Sequence, residues 1–539
     1  MPVLSLLIFL PLVFGAALLP FLNVAGVRVF RISTLVCCGI QLLISTYIFT
    51  GASFQNGGIN NPEQFQWTEN HSWLDINLGS PVRLQANYLL GVDGLSAGMV
   101  WLSGIVMFIG ALASFNIKKS EKGYYLLYLL LSSAVFGCFL ALDFLLFYLF
   151  FEFMLLPMYF LIGIWGGERR EYAAIKFFLY TLFGSLLILL GMVGLCMSTG
   201  WNADGQITHT FSLISMADSA NFLPGSLLHP DSNILILGIP ARKLAFLLLF
   251  IGFAVKLPVI PLHTWLPDAH VEAPTPVSAV LAGILLKIGG YGLMRIPFSI
   301  FPEQVHALAW GIGLLGVACI VYAGLCALAM HDLKKMVAYS SISHLGFVVL
   351  GLASCTPEGI AGAQYQMFSH GIISALLFLL VGVFYDRTHD RTIENFGGLY
   401  ARIPAYTALL AFALFASLGL PAFSGFIAEL LVLLGAFSAS VNNAEHGALL
   451  SVWMAPVAAT GIILAAGYWL WTLQRMFFGK LWARNGEEML LKLTPMKPIE
   501  WLCTLPLAAL TLFFGLFPQV FLNRIAGATE KLASIINAF

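Results

Sequence analysis

Charged residues are scarce in this sequence: aspartate, glutamate, lysine and arginine together make up 10% of its 539 residues, and hydrophobic residues make up 59%. A soluble protein of this length needs far more polar surface, so the soluble globular class is excluded. Apolar runs of about 20 residues, the length that crosses a bilayer, recur along almost the whole chain. The composition therefore predicts a polytopic all-α membrane protein that lies in a lipid bilayer and binds no nucleic acid.

The sequence also lacks motifs for redox, nucleotide and metal chemistry. Its eight cysteines lie mostly in apolar runs and form no CxxC pair, so we expect no iron–sulfur cluster, zinc site or structural disulfide. Gly311–Gly316 matches GxGxxG, but it lies inside an apolar run without a preceding strand, which favours helix packing. His263 and His270 beside Asp268 do not have the spacing of a metal site on one helix face. We therefore predict that this chain binds no cofactor and no metal.

Hydropathy predicts about fourteen membrane spans, with a long polar segment at each of two places between them. The spans lie near residues 3–22, 30–50, 86–114, 123–142, 144–165, 172–198, 243–262, 274–296, 306–328, 334–354, 360–385, 404–437, 452–477 and 499–521. The polar segments, 51–83 and 199–242, are predicted to be loops. The run from Leu4 to Leu22 has no basic leader or small-residue cleavage site, which favours a first span over a signal peptide.

The distribution of basic residues supports this order of spans. Eighteen of the 26 lysines and arginines lie in or beside the connections that follow odd-numbered spans, and six lie on the other side. The remaining two, Lys256 and Lys287, lie inside spans. Cytoplasmic connections are enriched in lysine and arginine, so the bias predicts that both termini are on the outer side.

Two five-helix units are predicted, spans four to eight and spans nine to thirteen. Their seventh and twelfth spans are interrupted at matching places, near Pro258 and near Pro421. An odd number of helices per unit gives successive units inverted topology, and broken helices in inverted repeats are typical of transporters. The predicted divisions are 1–120 (three spans, with the external loop 51–83), 121–298 (first unit), 299–480 (second unit) and 481–539 (the last span and a short tail).

Ionisable residues deep in apolar spans are the candidates for function. They are Glu152, Lys256, Lys287, His344, His370 and Glu429. A lysine near the middle of a span costs about 2.5–3.5 kcal/mol, so two such lysines indicate a functional reason. Acids, lysines and imidazoles at similar depth, with proton affinities altered by burial and by one another, are the components of a proton relay.

Structural alternatives remain open for several of these residues. Glu152 and Lys256 could form a clamp that holds two helices together, and either histidine could be a hydrogen-bonded packing residue. Lys287 has no acidic residue within its own span, and Glu429 follows a helix break closely; both features favour a functional role.

Seven segments resemble the antiporter-like membrane subunits of respiratory complex I, most closely the subunit M (chain 4) family. They are LDFLLFYLFFEFMLLPMYFLIGIWGG, AIKFFLYT, FAVKLPVIPLHTWLPDAHVEAPT, LAGILLKIGGYGLMR, LKKMVAYSSISHLGF, QMFSHGI and GLPAFSGFIAEL. One departure is Phe151, where many relatives have tryptophan. The resemblance implies that Glu152 and Lys256 form a pair that gates proton uptake and that Lys287 is the central relay. By the same resemblance, His344 and His370 form a hydrated bridge and Glu429 is the terminal protonatable group.

The resemblance also implies a setting. NADH, flavin, iron–sulfur clusters and quinone would be bound by partner subunits, and two further antiporter-like subunits, of the L and N types, would lie on either side. The membrane would be the bacterial inner membrane. A sodium–proton antiporter subunit of the Mrp type and the D-type membrane subunit of a photosynthetic, ferredoxin-dependent NDH complex are the alternatives, and a purely structural spacer is a third.

Overall fold

Backbone groups inside a bilayer have no water to bond, so apolar runs form helices that satisfy their own hydrogen bonds. The computed structural model describes residues 2–24, 26–51, 57–77, 79, 82–203, 206–441, 448–484 and 486–539, and within them the chain is mostly helical. The α-helices are α1 (Val3–Leu18), α2 (Val27–Gly51), α3 (Gly94–Ala113), α4 (Glu121–Leu140), α5 (Phe144–Phe153), α6 (Leu155–Trp165), α7 (Arg170–Ser198), α8 (Leu213–Met216), α9 (Ala241–Lys256), α10 (Trp265–Glu272), α11 (Thr275–Val280), α12 (Leu286–Arg295), α13 (Pro297–Ile300), α14 (Pro302–Leu328), α15 (Leu333–Ala353), α16 (Pro357–Thr388), α17 (Pro404–Ser417), α18 (Ser424–Ser438), α19 (Met454–Phe477), α20 (Glu487–Leu491), α21 (Pro498–Leu516) and α22 (Gln519–Ile536). A π-helical turn, Leu281–Leu285, joins α11 to α12.

The predicted membrane class is confirmed. Within the described residues, twelve helical segments are long and apolar enough to cross a membrane, and the apolar helices α17 and α18 are shorter. Helices α3, α15 and α16 and the segment from α11 to α13 are almost wholly buried, so they form the centre of the bundle. Helices α1, α2, α7, α19 and α21 each leave much of their apolar surface exposed, as expected for helices that face lipid.

The prediction that the two polar segments are plain loops is wrong, because strands from both form one sheet. The strands of the chain are β1 (Gln66–Asn77), β2 (Val82–Val92), β3 (Gly200–Ala203), β4 (Gln206–Thr210), β5 (Leu235–Ile236), β6 (Ile239–Pro240), β7 (Phe396–Gly397) and β8 (Trp482–Ala483). The four-stranded sheet has the order β1-β2-β4-β3, with β2 and β4 parallel.

The start of the predicted third span is also wrong. Residues 86–92 belong to β2, and α3 begins only at Gly94, after the N-cap Asp93. Polar and apolar residues alternate along much of β2, and averaging over a long hydropathy window hides a pattern of period two. The all-α prediction therefore holds for the spans but not for this external sheet.

The opposite end of the bundle gathers the connections that follow odd-numbered spans. Residues 112–117, 165–169, 271–276 and 332–334, with others near the ends of α16 and α21, line one open cavity there. The sheet, by contrast, joins segments that follow the second and sixth spans. The connections that follow odd-numbered spans and the strands of the sheet thus lie at different ends of α3.

Both predicted helix interruptions are present. Helix α9 ends at Lys256, ahead of Pro258, and helical structure resumes only in α10. Helix α17 ends at Ser417, and α18 begins beyond Pro421. Proline lacks the N–H that would continue the helix, so both interruptions have the same cause.

The chain does not end in a plain tail. Helix α22 has one apolar face, and Phe521, Ile525, Ala528 and Leu532 on it are buried. Glycine in α3 permits the close approach: a Cβ at Gly94 would lie 2.8 Å from the carbonyl oxygen of Arg524. The C-terminal segment therefore packs against the centre of the bundle.

Candidate functional site

Lys256 lies inside the bundle at the end of α9. Its side chain is 1% exposed, and its ammonium lies 5.2 Å and 5.5 Å from the ring centroids of Phe151 and Phe177. Within the described residues, neither Nζ of Lys256 nor Oε1 of Glu152 has a hydrogen-bond partner. Glu152 acts on the lysine electrostatically, without ion-pair contact. The direct partners of Lys256 are therefore aromatic rings, with the carboxyl group nearby.

Lys287 lies on α12 directly after the π-helical turn and is fully buried. Such turns occur often at functional sites. Its Nζ donates a hydrogen bond to the carbonyl oxygen of Ala282 and lies 2.9 Å from Nδ1 of His370 on α16. An ammonium has no lone pair, so a protonated Lys287 requires His370 to accept with Nδ1. The contact is suited to proton exchange between the two side chains.

His344 on α15 continues the row from His370. The two imidazole rings lie 5.5 Å apart between centroids. Nδ1 of His344 lies 3.1 Å from Oε1 of Glu429 on α18, and its Nε2 lies 3.1 Å from Oγ of Ser417 on α17. Four of the six predicted residues, Lys287, His370, His344 and Glu429, thus form one row, which begins in the first predicted unit and continues through the second.

A small cavity lies within this row. It has a volume of about 10 Å³ and is lined by His344, His370, Glu429, Gln366 and Ser369, among others. Two acceptors there, Oε1 of Gln366 and Oε2 of Glu429, have no hydrogen-bond partner among the described residues. A polar cavity of roughly 10–15 Å³ is large enough for one water molecule. The geometry therefore suits a water-bridged step between the two imidazoles and the carboxyl group.

The break between α17 and α18 brings backbone against Glu429. Gly419 in this break has a φ of +74°, which favours glycine. A Cβ at Gly419 would lie 2.6 Å from Oε2 of Glu429. Any other residue at this position would therefore displace the carboxyl group, so the sequence GLP in the break has a direct role in the site.

Lys287 and the end of α9, which carries Lys256, lie on different faces of α12. A Cβ at Gly289 would lie 2.7 Å from the backbone nitrogen of Leu257, so the face with Gly289 packs on α9. Lys287 instead faces His370 on α16, and two residues along a helix rotate the face by about 200°. At Gly290, between the two faces, a Cβ would lie 3.5 Å from the side chain of Leu257 and would also meet the side chain of Met367. Apolar side chains therefore pack on the part of α12 between these two faces.

His270 and Lys334 are two residues whose part in the site the sequence did not reveal. His270 is fully buried, stacks on Phe378 at 4.3 Å, and has no hydrogen-bond partner for either ring nitrogen among the described residues. It interacts electrostatically with both Lys334 and Lys287. Lys334, which the sequence groups with the loop charges, is only 5% exposed and donates to the carbonyl oxygen of Ala273 at 2.6 Å.

A large cavity opens beside Lys334, at the end where the odd-numbered connections meet. Its volume is about 590 Å³, and its lining includes Glu168, Glu272, Asp386 and Asp390 as well as Lys334. Carboxylates at the mouth of a cavity raise the local concentration of cations. The cavity therefore places acidic side chains and an open space beside Lys334.

A second buried ionic group lies on α12 itself. Lys287, Tyr291 and Arg295 are spaced four residues apart, and so they share a face of the helix. Arg295 donates to the Tyr291 hydroxyl at 3.1 Å and forms a buried ion pair with Asp93. The partners are 202 residues apart in the chain, and nothing in the sequence marks them as a pair.

Apolar helices with two interrupted members and a row of buried titratable side chains define a membrane transport subunit. The sequence profile described as "NADH:quinone oxidoreductase/Mrp antiporter, TM" matches residues 141–453, more than half of the chain. The chain belongs to this family.

Two relatives resemble the chain over nearly its whole length. NADH-quinone oxidoreductase subunit M of Rhodobacter capsulatus is 38% identical, with 99% of this chain and 97% of the relative covered. NAD(P)H-quinone oxidoreductase chain 4 of Gloeobacter violaceus is 36% identical, with 99% and 93% covered. Both relatives are named as parts of a quinone oxidoreductase.

Two solved structures have a similar fold. A chain of respiratory complex I from Thermus thermophilus is 29% identical, with a TM-score of 0.79 and coverage of 99% of this chain and 100% of that one. A chain of the Mrp complex from Dietzia sp. is 21% identical, with a TM-score of 0.78 and coverage of 99% and 98%. At this identity the Mrp likeness concerns the fold alone.

Proposed function

We propose that this chain is the proton-translocating membrane subunit of an NADH–quinone oxidoreductase, of the subunit M type. The observation that supports this most directly is the row Lys287–His370–His344–Glu429, in which buried titratable groups follow one another within 2.9–5.5 Å. A purely structural spacer would have no reason to keep four such groups in an apolar interior, where each is costly.

Protons enter the row from the cavity beside Lys334. His270 interacts electrostatically with Lys334, which lines this cavity, and with Lys287, and neutral imidazole both accepts and donates a proton. Lys287 then exchanges its proton with His370, and His344 passes it to Glu429 near the break between α17 and α18. Moving one charge against a membrane potential requires about 2.3 kcal/mol per 100 mV. A change of a few units in the proton affinity of a buried group, at about 1.36 kcal/mol per unit, supplies that amount.

Glu152 and Lys256 control this row and are not a link in it. Lys256 faces aromatic rings, with the Glu152 carboxyl group nearby, and no hydrogen bond links it to Lys287 among the described residues. A change in the charge of Lys256 would therefore act on Lys287 through the electrostatic field. The clamp that the sequence left open is disfavoured, because the two side chains do not form an ion pair.

The proposal includes the arrangement in the membrane. The chain would cross a bacterial inner membrane fourteen times, counting the two interrupted helices, with inverted five-helix units in 121–298 and 299–480. Reporters fused after Lys122, Arg170, Lys335 or Arg391 should be cytoplasmic, and one fused within residues 56–70 should be external. A reversed result at either set of positions would contradict the topology and the inverted units together.

The partners are proposed by likeness to the relatives. Subunits of the L and N types would lie on either side, and other subunits would carry NADH, flavin, iron–sulfur clusters and quinone. This chain takes no part in the redox steps, which supply only the driving force. The Mrp antiporter, whose subunits share this fold, remains the alternative.

Purification of the complete complex in mild detergent tests the assignment. Flavin and iron–sulfur subunits should co-purify with the chain, and the complex in vesicles should pump protons when NADH and quinone are added, with or without sodium. A complex without redox subunits, whose proton movement requires sodium and persists without NADH, would establish the antiporter instead.

A further inference from the structure

The hydroxyl of Ser417 contacts a side chain of the proposed relay, whereas the hydroxyls of other buried serines contact other groups. Ser103 and Ser299 each donate to the backbone carbonyl four residues earlier in their own helix, and Ser114 contacts the hydroxyl of Tyr124. Ser343, next to His344, donates to the carbonyl oxygen of Ile320. The Ser417 hydroxyl instead contacts a titratable side chain, Nε2 of His344, at 3.1 Å.

The place of Ser417 in the fold explains this difference. It is the last residue of α17, directly before the interruption, and only 4% exposed. Glu429 approaches the same imidazole from α18, on the other side of the interruption. The two halves of the broken helix thus contact the two nitrogens of one histidine.

We infer that Ser417 is a positioning residue of the proton relay: its hydroxyl holds Nε2 of His344, so that Nδ1 faces Glu429 in every protonation state. This inference rests on the proposed function. When the imidazole is neutral with its proton on Nδ1, the serine hydroxyl donates to the lone pair of Nε2. When the imidazole carries two protons, the Ser417 oxygen accepts from the Nε2–H group.

A hydroxyl is suited to this position because it both donates and accepts. When the imidazolium releases its Nδ1 proton to the Glu429 carboxylate, the carboxyl becomes neutral and the ring keeps its other proton on Nε2. The Ser417 oxygen still accepts that proton, so the ring need not rotate. The cavity of about 10 Å³ is lined by His344, His370 and Glu429, so a water molecule in it would return a proton from His370 to Nδ1 and restore the imidazolium.

Other polar and titratable groups near His344 also affect how its protonation depends on pH. On α18 the facing group is Glu429, and on α16 they are His370 and the amide of Gln366, 3.5 Å from Nδ1. From α19, Tyr468 interacts electrostatically with Glu429. None of these groups contacts Nε2 within hydrogen-bond distance among the described residues, so substitution of Ser417 alters the polar contact of that nitrogen alone.

Three substitutions separate hydrogen bonding from packing. Ser417→Ala removes the hydroxyl, Ser417→Cys keeps the size but is a weak hydrogen-bonding group, and Ser417→Thr keeps the hydroxyl and adds a methyl group. Ser343→Ala is the matched control, because that hydroxyl contacts only backbone. Each complex is assembled in full, its subunit content checked, and NADH-driven acidification of vesicles measured between pH 5.5 and pH 8.5, a range of about three units around the titration of histidine.

We expect the Ala and Cys variants to pump about tenfold more slowly, the loss that corresponds to one hydrogen bond to a group that becomes charged. The pH at which these variants pump at half their maximal rate should fall by about one unit, since the doubly protonated ring of His344 loses its hydrogen-bond acceptor. The Thr and Ser343→Ala variants should keep the wild-type rate and profile. If the Ser417→Cys variant pumps at the wild-type rate and the Ser417→Thr variant is impaired, the role of Ser417 is packing and the inference is overturned. Pumping at the wild-type rate in all three Ser417 variants would overturn it as well.

Glu429→Gln, made in parallel, separates this inference from the proposed function. If Glu429→Gln slows pumping and the Ser417 variants do not, only the role of Ser417 is refuted. If Glu429→Gln also pumps at the wild-type rate, the relay itself is refuted. If Ser417→Ala fails to assemble, the comparison of Cys with Thr still decides between hydrogen bonding and packing.

Discussion

Replacement of Lys287 by methionine removes the ammonium at the start of the row and keeps an unbranched side chain of similar length. The native ammonium contacts the Ala282 carbonyl oxygen and, at 2.9 Å, Nδ1 of His370. Leaving these acceptors unpaired costs about 1–3 kcal/mol each. Removing a lysine from an apolar interior is favourable by about 2.5–3.5 kcal/mol. Because the two effects are opposed and similar in size, the complex should assemble normally.

Proton transfer should fail in this variant. A positioned side chain that gives and takes a proton contributes about 10²- to 10⁴-fold to the rate. We therefore expect proton movement through this chain to slow by at least about 100-fold, with slower quinone reduction because the steps are coupled. Lys287→Arg should fail as well, since arginine keeps its charge but does not release its proton in proteins. The arginine variant thus distinguishes a titrating group from a fixed positive charge.

The assay measures quinone reduction and vesicle acidification in the same preparation, after subunit content has been checked. Lys335→Met is the matched control, because Lys335 is a half-buried lysine at the end of α15, outside the row. It should leave both rates unchanged. Wild-type acidification in an assembled Lys287→Arg complex would show that Lys287 is not deprotonated during turnover, and the relay would have to be abandoned.

Other substitutions test the remaining contacts. Glu429→Gln should lower NADH-driven pumping at least about tenfold while Glu429→Asp keeps much of it; equal loss in both would indicate packing. Gly419→Ala should also lower pumping, because a left-handed alanine costs about 1–2 kcal/mol and its Cβ would displace the carboxyl group; an unchanged rate would contradict that contact. Lys256→Met and Glu152→Gln should each slow acidification and quinone reduction together, with Glu152→Asp milder. Full activity in an assembled Lys256→Met complex would leave that residue without a role in control.

Much of the fold could be predicted from the sequence because a lipid bilayer permits few backbone structures. Apolar runs of about 20 residues must form helices, and proline in such a run interrupts the helix, as at Pro258 and Pro421. The external sheet was not predicted, because β2 pairs in parallel with β4, more than 100 residues away in the chain. Pairing between distant strands depends on where the helices place them, and no local pattern reports it.

The candidate site could be predicted from the sequence only in part. Burial of charge in an apolar run is visible in the sequence, and it indicated all six candidate residues. Contact between them is not visible, since it depends on how each helix is rotated about its axis. His370 faces Lys287, but Glu152 does not reach Lys256, and His270 lies near Lys287 without any sequence signal for it. Arg295 lies at the end of an apolar run, so in the sequence it is indistinguishable from a residue of a loop. Its partner, Asp93, is the N-cap of a helix far away in the chain.

The separation of the two lysines bears on how a pump of this kind avoids leakage. A continuous row of exchangeable groups from one side to the other would let protons return down their gradient. Here Lys287 faces α16, whereas Lys256 lies at the end of α9, which packs on another face of α12. Apolar side chains of Leu257 and Met367 pack on α12 at Gly290, between these two faces. An electrostatic field in a low-dielectric interior is screened far less than in water, so a change in the charge of Lys256 can be felt at a distance. Under the proposed function, Lys256 would then change the proton affinity of Lys287 without exchanging a proton with it, which is the separation that coupling requires.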